Sequence, residues 1–401
     1  MLNVTKLWCG ASTPGDALRY GAHHNGSRPE PRHLPHHRPI VVWNLTRTCN
    51  LSCAHCYISA IHADDPSELT TNAAFGVVDQ LAQYGVPVVL LSGGEPLVRR
   101  DLMDVARYAV SHGLRVGVST NGTLITQEVA RQLKEAGVYY VGISIDGPQA
   151  VNDKFRGSTG AYDRALQGVR CARALGLRVS LRFTLTAYNH RYLGEVFDLV
   201  EKERIPRVCI YHLAYAGRGA QIRARASLSH QETRQAVDIC LKRADAFHRQ
   251  GLVVEVLTVD NHTDAAYLML RVAADQPHRT REVAALLKAN GGNSSGVGIA
   301  SIGPRGDVHA DQFSHHRSFG NVRDTPFGQI WEQALDPTLA GLKARPRPLE
   351  GRCSTCPVLP ICNGNLRVRA ETHSGNVWAS DPACYLSDRE LQKVGEDMAD
   401  D

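Results

Sequence analysis

Cys49, Cys53 and Cys56, in the segment TRTCNLSCAHCY, are the first residues of this chain whose type and spacing do chemistry. Three thiolates in one loop hold three corners of a [4Fe-4S] cube and leave the fourth iron open to an outside ligand. Two other readings compete: a zinc site, for which His55 is the nearest fourth ligand, and plain buried thiols. The spacing favours the cube, with Tyr57 placed to shield it. A second set, Cys353, Cys356, Cys362 and Cys384, offers four thiolates to one closed site, either an auxiliary [4Fe-4S] cluster or zinc. Seven of the 11 cysteines fall in these two groups, a distribution that points to metal in a reducing compartment and away from disulfides. Cys171, Cys209 and Cys240 lie in regular apolar patterns and read as core; Cys9 has no evident role.

Such ligands need a rigid frame. VVWNLT, PVVLLS, RVGVST, YYVGISI, RVSLRFTLT and RVCIYHLAY are short β-rich runs separated by segments with one apolar face, such as Leu102, Val105, Ala106 and Ala109, or Val129, Leu133 and Ala136. Strands apolar on both faces imply a parallel sheet covered by helices, and right-handed crossovers curl it. The expected fold class is α/β: a partial (β/α)6 TIM-type barrel followed by a small C-terminal iron-sulfur domain, with a flat doubly wound sheet as the alternative. The first cysteine loop then follows the first strand, at the end of the barrel where active sites assemble. The boundaries read as an arm over 1–39, a barrel over 40–216, a helical bridge with a hairpin at Pro304 to Asp307 over 217–345, and the second cysteine domain over 346–401. His23, His24, His33, His36 and His37 in the arm have no framework for a metal site.

The chain has 401 residues, 43% of them hydrophobic and 21% charged, which excludes a disordered protein. Its 45 basic and 40 acidic side chains leave +5, too mild a surplus for a nucleic-acid partner. MLNVTKLWCGASTPGD has no apolar leader core, and no run of about 18 apolar residues occurs, so a cytoplasmic protein without a membrane segment is expected.

The first cysteine motif, with an aromatic after its third cysteine, resembles the signature of the radical S-adenosylmethionine (SAM) superfamily. The resemblance implies SAM on the open iron and its reductive cleavage to a 5′-deoxyadenosyl radical. Gly93, Gly94, Glu95 and Pro96 resemble the GGEP element that meets the methionine amino group, two glycines letting backbone approach a ligand. Ser119, Thr120 and Asn121 after the third strand, and Ser144 and Asp146 after the fourth, are short polar groups suited to a ribose and a carboxylate. Arg182 and Asn189, at the fifth strand, resemble family positions that meet the SAM carboxylate and ribose. The last segment resembles the SPASM/twitch extension. Two-cluster versions carry extra cysteines where this chain reads Asp307 to Gln312 and Asn363 to Leu366, so one auxiliary cluster is expected.

HLAYAGRG, GGNSSGV, AGLKARPRP and RVRAE followed by DPACYLSD are similar to the radical SAM enzymes of heme d1 biosynthesis. That resemblance implies an iron tetrapyrrole substrate, 12,18-didecarboxysiroheme, loss of propionate side chains, and an electron donor such as a flavodoxin or ferredoxin. A porphyrin decarboxylase of alternative heme synthesis and a ribosomal-peptide maturase are the related alternatives. A carboxylate-rich macrocycle wants an apolar cleft edged by Arg and His. Arg156, His212, Tyr215 and Arg218 are the candidates, with His309, His315 and His316 behind them.

Overall fold

A computed structural model describes residues 1–21 and 38–399. Its frame is one ten-stranded sheet: β1 (Leu2–Asn3), β2 (Ile40–Asn44), β3 (Val88–Ser92), β4 (Arg115–Thr120), β5 (Tyr140–Ser144), β6 (Val179–Leu185), β7 (Arg207–His212), β8 (Glu255–Val259), β9 (Ile299–Ile302) and β10 (Val308–His309). The spatial order is β1-β8-β7-β6-β5-β4-β3-β2-β9-β10, parallel from β8 through to β9 and antiparallel at both ends. Val41, Trp43, Val89 and Leu91 are buried against helices on the outer face of the sheet, while Val42 and Leu90 line its inner cavity. Burial on both faces is what favours a parallel sheet. The architecture is the expected partial barrel.

Local sequence sets the helices. Thr70 and Thr126 cap the helices Thr71–Tyr84 and Gln127–Glu135 by accepting from Ala73 N and Val129 N, and Ser229 with Glu232 forms a capping box at His230–Arg249. Leu102, Val105, Ala106 and Ala109 are all buried in Leu102–Ser111, as their spacing predicts.

Two expectations need correction. The βα repeat does not stop at 216: β8 pairs in parallel with β7 after the helix His230–Arg249, and β9 returns beside β2. The region read as a bridge therefore supplies two barrel strands as well as the hairpin of β9 and β10. The start of the chain is no loose arm either. Leu2 and Asn3 pair with Thr258 and Leu257, and Asn3, fully buried, donates from Nδ2 to Thr13 Oγ1 and Asp16 Oδ1. The five arm histidines, His23 to His37, lie outside the described residues.

Candidate active site

The loop after β2 is fastened on every side. Cys49 N donates to Ile61 O, and Gly94 N and Glu95 N donate to Thr46 O and Thr48 O at 2.7 and 2.9 Å. Gly93, at φ 134°, and Gly94 have no room for a side chain, because a Cβ would lie 2.4 Å from Thr46 O and 2.3 Å from Thr48 O respectively. The glycines thus let two loops touch while both still line the cavity.

N–H donors reach each of the three sulfurs. Leu51 N donates to Cys49 Sγ and Ala60 N to Cys56 Sγ, both at 3.3 Å, and Arg156 Nη1 lies 3.7 Å from Cys53 Sγ. None of the three cysteines forms a disulfide. Burial pushes the Cys49 thiol up to about 12 and raises that of Cys53, so thiolates here need a cation close by. Among the described residues, no three His, Cys, Asp or Glu side chains converge on a point that would hold a single metal ion. Donors aimed at separate sulfurs, beside an open cavity, fit a multi-iron cluster.

That cavity, about 1110 Å³, is lined by the three cysteines, Tyr57, Gly93, Gly94, Ser119, Thr120, Asn121, Ser144, Arg156, Arg182, His212 and Arg218. Tyr57 reaches over the ends of β2 and β3, donating to Asn44 Oδ1 at 2.9 Å, with Ser92 Oγ at 3.1 Å, and packs edge-on against Phe313. Unsatisfied donors surround the space: Arg156 Nε, Arg182 Nε and Arg218 Nη2 are buried without a hydrogen-bond partner.

Glu95, Pro96, Asp146 and Asn189 also tie the scaffold together. The fully buried Glu95 accepts from Thr120 Oγ1 and Asn121 N, both at 2.7 Å, and from Leu97 N at 3.1 Å. Burial pushes its carboxyl up to about 7, against the pull of those donors. It bolts the end of β4 to the cysteine loop, and Pro96 simply starts the short turn that follows. Asp146 accepts from Thr184 N at 2.8 Å and pairs with Arg156. Asn189 donates to Asp146 O and Thr184 O and accepts from Thr186 N. Their polar groups are spent within the protein.

The predicted substrate residues also shift. Arg156 belongs to the cysteine loop, between Cys53 and Asp146. Arg218 clamps the same loop, donating from Nε to Cys53 O at 2.8 Å and from Nη1 to Ala60 O at 2.9 Å. Tyr215 bonds Ser227 Oγ outside the inner cavity. His212 does line it, with Nε2 2.9 Å from Asp264 Oδ2, whose other oxygen accepts from Tyr385. His316 pairs with Glu371. His309 bonds Arg317 O and His315 stacks on Tyr57, both in an outer cleft.

A second chamber of about 1570 Å³ continues the first toward the start of the strands. The two share Val42, Leu90, Arg182, Tyr211, Asp260, Gln312 and Phe313. The lower walls are Ile40, Val88, Leu257 and Val259 with Tyr140, and the basic residues Arg19, Arg115 and Arg207 stand among them. Sequence reasoning missed Arg207, Tyr140, Tyr211 and Asp260. The signal was present as charged or aromatic residues at alternate positions of otherwise apolar strands, legible once the inward face is known.

Cys353, Cys356, Cys362 and Cys384 gather at the C-terminal end of the chain, close enough that each of the other three raises the thiol of Cys362, after burial. Gly292, of GGNSSGV, packs on the Cys362 backbone, where a Cβ would lie 2.4 Å from the carbonyl carbon. Asn363, Gly364 and Asn365 all have positive φ, a run that Gly and Asn tolerate best. Where two-cluster relatives carry further cysteines, Asp311 accepts from Ser295 Oγ at 2.5 Å and Asn365 Oδ1 accepts from His262 N at 2.7 Å. Cys209 and Cys240 are buried as expected, while Cys171 is only half-buried. No helix among the described residues is long and apolar enough to cross a membrane.

The radical SAM superfamily model matches residues 43–200. Over 399 residues the chain is 50% identical to Fe-coproporphyrin III synthase of Methanosarcina barkeri, covering 98% of this chain and 99% of that protein. It is 44% identical over 354 residues to pre-heme d1 synthase of Dinoroseobacter shibae, covering 87% of each. Among solved structures it is similar to SuiB of Streptococcus suis bound to S-adenosylmethionine, with a TM-score of 0.69 at 17% identity over 87% of this chain and 77% of that one.

Proposed function

The chain belongs to the radical SAM superfamily, and from that premise we propose that it removes carboxylate side chains from an iron tetrapyrrole held in the lower chamber. In this reading Cys49, Cys53 and Cys56 hold a [4Fe-4S] cluster, and Gly93, Gly94, Ser119, Asn121 and Ser144 hold SAM beside it. Cys353, Cys356, Cys362 and Cys384 hold one auxiliary [4Fe-4S] cluster. A cluster held there with SAM would supply radical chemistry able to abstract a hydrogen atom from a substrate carbon.

The protein's own groups do the rest. Arg218 and Arg156 fix the loop, and the N–H groups of Leu51 and Ala60 orient the sulfurs of Cys49 and Cys56. Tyr57 and Phe313 close the upper chamber against water. Apolar strand faces receive the macrocycle, and arginines meet its carboxylates as bidentate partners.

The observation that carries this reading is the continuous, arginine-bearing apolar cavity beneath the cysteines. Its two chambers share Val42, Leu90, Arg182 and Tyr211, so one ligand can extend from the cysteines to the strand starts. Among such substrates, the motifs shared with heme d1 enzymes favour didecarboxysiroheme with loss of propionates. A second reading, synthesis of an iron coproporphyrin, is favoured by the 50% identity over nearly the full length of the Methanosarcina barkeri protein.

One incubation separates them. Reconstituted protein with SAM, reductant and didecarboxysiroheme is expected to yield a lighter tetrapyrrole by mass spectrometry. Loss of propionates identifies the first reading; a coproporphyrin product, which retains four propionates, identifies the second. Formation of 5′-deoxyadenosine with the tetrapyrrole unchanged contradicts both.

A further inference from the structure

Arg182 stands at the junction of the two chambers and, among the described residues, has no acid to pair with. It projects inward from the middle of β6, and its partners are neutral: Nη1 donates to Ser119 Oγ, and Nη2 lies 3.4 Å from Tyr140 Oη. The guanidinium carbon is 5.7 Å from the Tyr140 ring centre and 6.0 Å from that of Tyr211. Nε is buried and unpartnered. The backbone makes room for it: Gly142 on β5 has no side chain there, and a Cβ would lie 2.3 Å from Arg182 Nε.

Its neighbours are treated differently. Arg156 is paired with Asp146, and Arg19 and Arg207 share Glu255 at the chamber floor. Among the described residues no carboxylate forms an ion pair with Arg182, and Asp260, which both chambers share, has Arg369, the N-terminal amine, Asp311 and His212 around it. A cation taken out of water without a counterion is costly. Rings of two tyrosines offset part of that cost. The rest is recovered when an anion arrives.

Resting on the tetrapyrrole reading above, we propose that Arg182 receives a side-chain carboxylate of the substrate at the boundary between the chambers, and so selects which side chain faces the upper one. The sequence had assigned this arginine to SAM. Its contact on that side is the neutral Ser119 hydroxyl, while Tyr140 and Tyr211 turn it toward the lower chamber. Bidentate pairing sets direction as well as affinity, so a carboxylate held here fixes the carbon next to it.

The test is binding, followed by absorbance titration with iron coproporphyrin and with its methyl ester, and by calorimetry with SAM. Arg182→Met is expected to weaken the acid form about tenfold or more and leave the ester and SAM within about twofold, since it removes a charged hydrogen bond that only the acid form makes. Arg182→Lys should recover part of the loss. Ligand-free Arg182→Met should melt at the same temperature as the wild type or higher, because it removes an uncompensated buried charge; a fall in melting temperature would assign the arginine to the scaffold and overturn the proposal. Weaker SAM binding with unchanged tetrapyrrole affinity would also overturn it. If the wild-type protein binds neither acid nor ester, the tetrapyrrole reading fails and this proposal with it; if it binds both equally, only this proposal fails.

Discussion

Replacing Cys53 by alanine is expected to lower 5′-deoxyadenosine formation to the background of iron-free protein. Cys53 is the middle cysteine of the loop, 8% exposed, with Arg156 directed at its sulfur and Arg218 at its carbonyl. On the proposed reading alanine removes one of three protein ligands to the cluster, while Arg156 keeps its pairing with Asp146. The matching change in the other cluster, Cys356→Ala, lies outside the inner cavity. It should spare much of the SAM cleavage while reducing tetrapyrrole product. Chromatography of the nucleoside and mass spectrometry of the product, on the same samples, separate the two effects. Equal 5′-deoxyadenosine yields from wild type and Cys53→Ala would refute the assignment of the loop.

The second large effect is on stability. Arg156→Leu should cost about 3–5 kcal/mol, the usual result of deleting one member of a buried ion pair. The Asp146 side chain is fully buried, and with Arg156 gone it keeps the Thr184 N–H at 2.8 Å, with His55 Nε2 at 3.9 Å. Unfolding in urea would show the loss as a lower midpoint. Removing both charges, Arg156→Leu with Asp146→Leu, should recover much of it, since the isolated carboxylate is the costly species. An unchanged midpoint for the single variant would mean that Asp146 finds water or another cation.

How much of this was legible in the sequence follows a physical line. Ligand spacing within one loop is local, so Cys49, Cys53 and Cys56 could be read directly. So could the strands β2 to β7, each an apolar run bounded by turns. Strand pairing is not local. VVEVLT carries the right pattern for β8, but it follows a 20-residue helix and a shorter one, Gly217–Ala226, that break the rhythm of the earlier units. β9 returns to β2 from more than 250 residues away, and nothing within IASI says so.

The same limit governs the site. Glu95, Asp146 and Asn189 have the chemistry of ligand-binding groups and the right places at strand ends. Burial adds a structural role: polar atoms that deep are largely satisfied by neighbouring loops, which their own segments do not show. Arg156 and Arg218 were expected to bind substrate because an arginine's partner cannot be seen from its own segment. Arg182 shows the converse, a charge whose missing partner becomes evident once every neighbour is in view.

The central claim is that three thiolates leave one iron of a cluster free for SAM. Electron paramagnetic resonance of anaerobically reconstituted, reduced protein, with and without SAM, tests it most directly, with Cys356→Ala included to isolate the first cluster. The account predicts a cubane signal in that variant that shifts when SAM is added. No cubane signal, or one that SAM leaves unchanged, would contradict it.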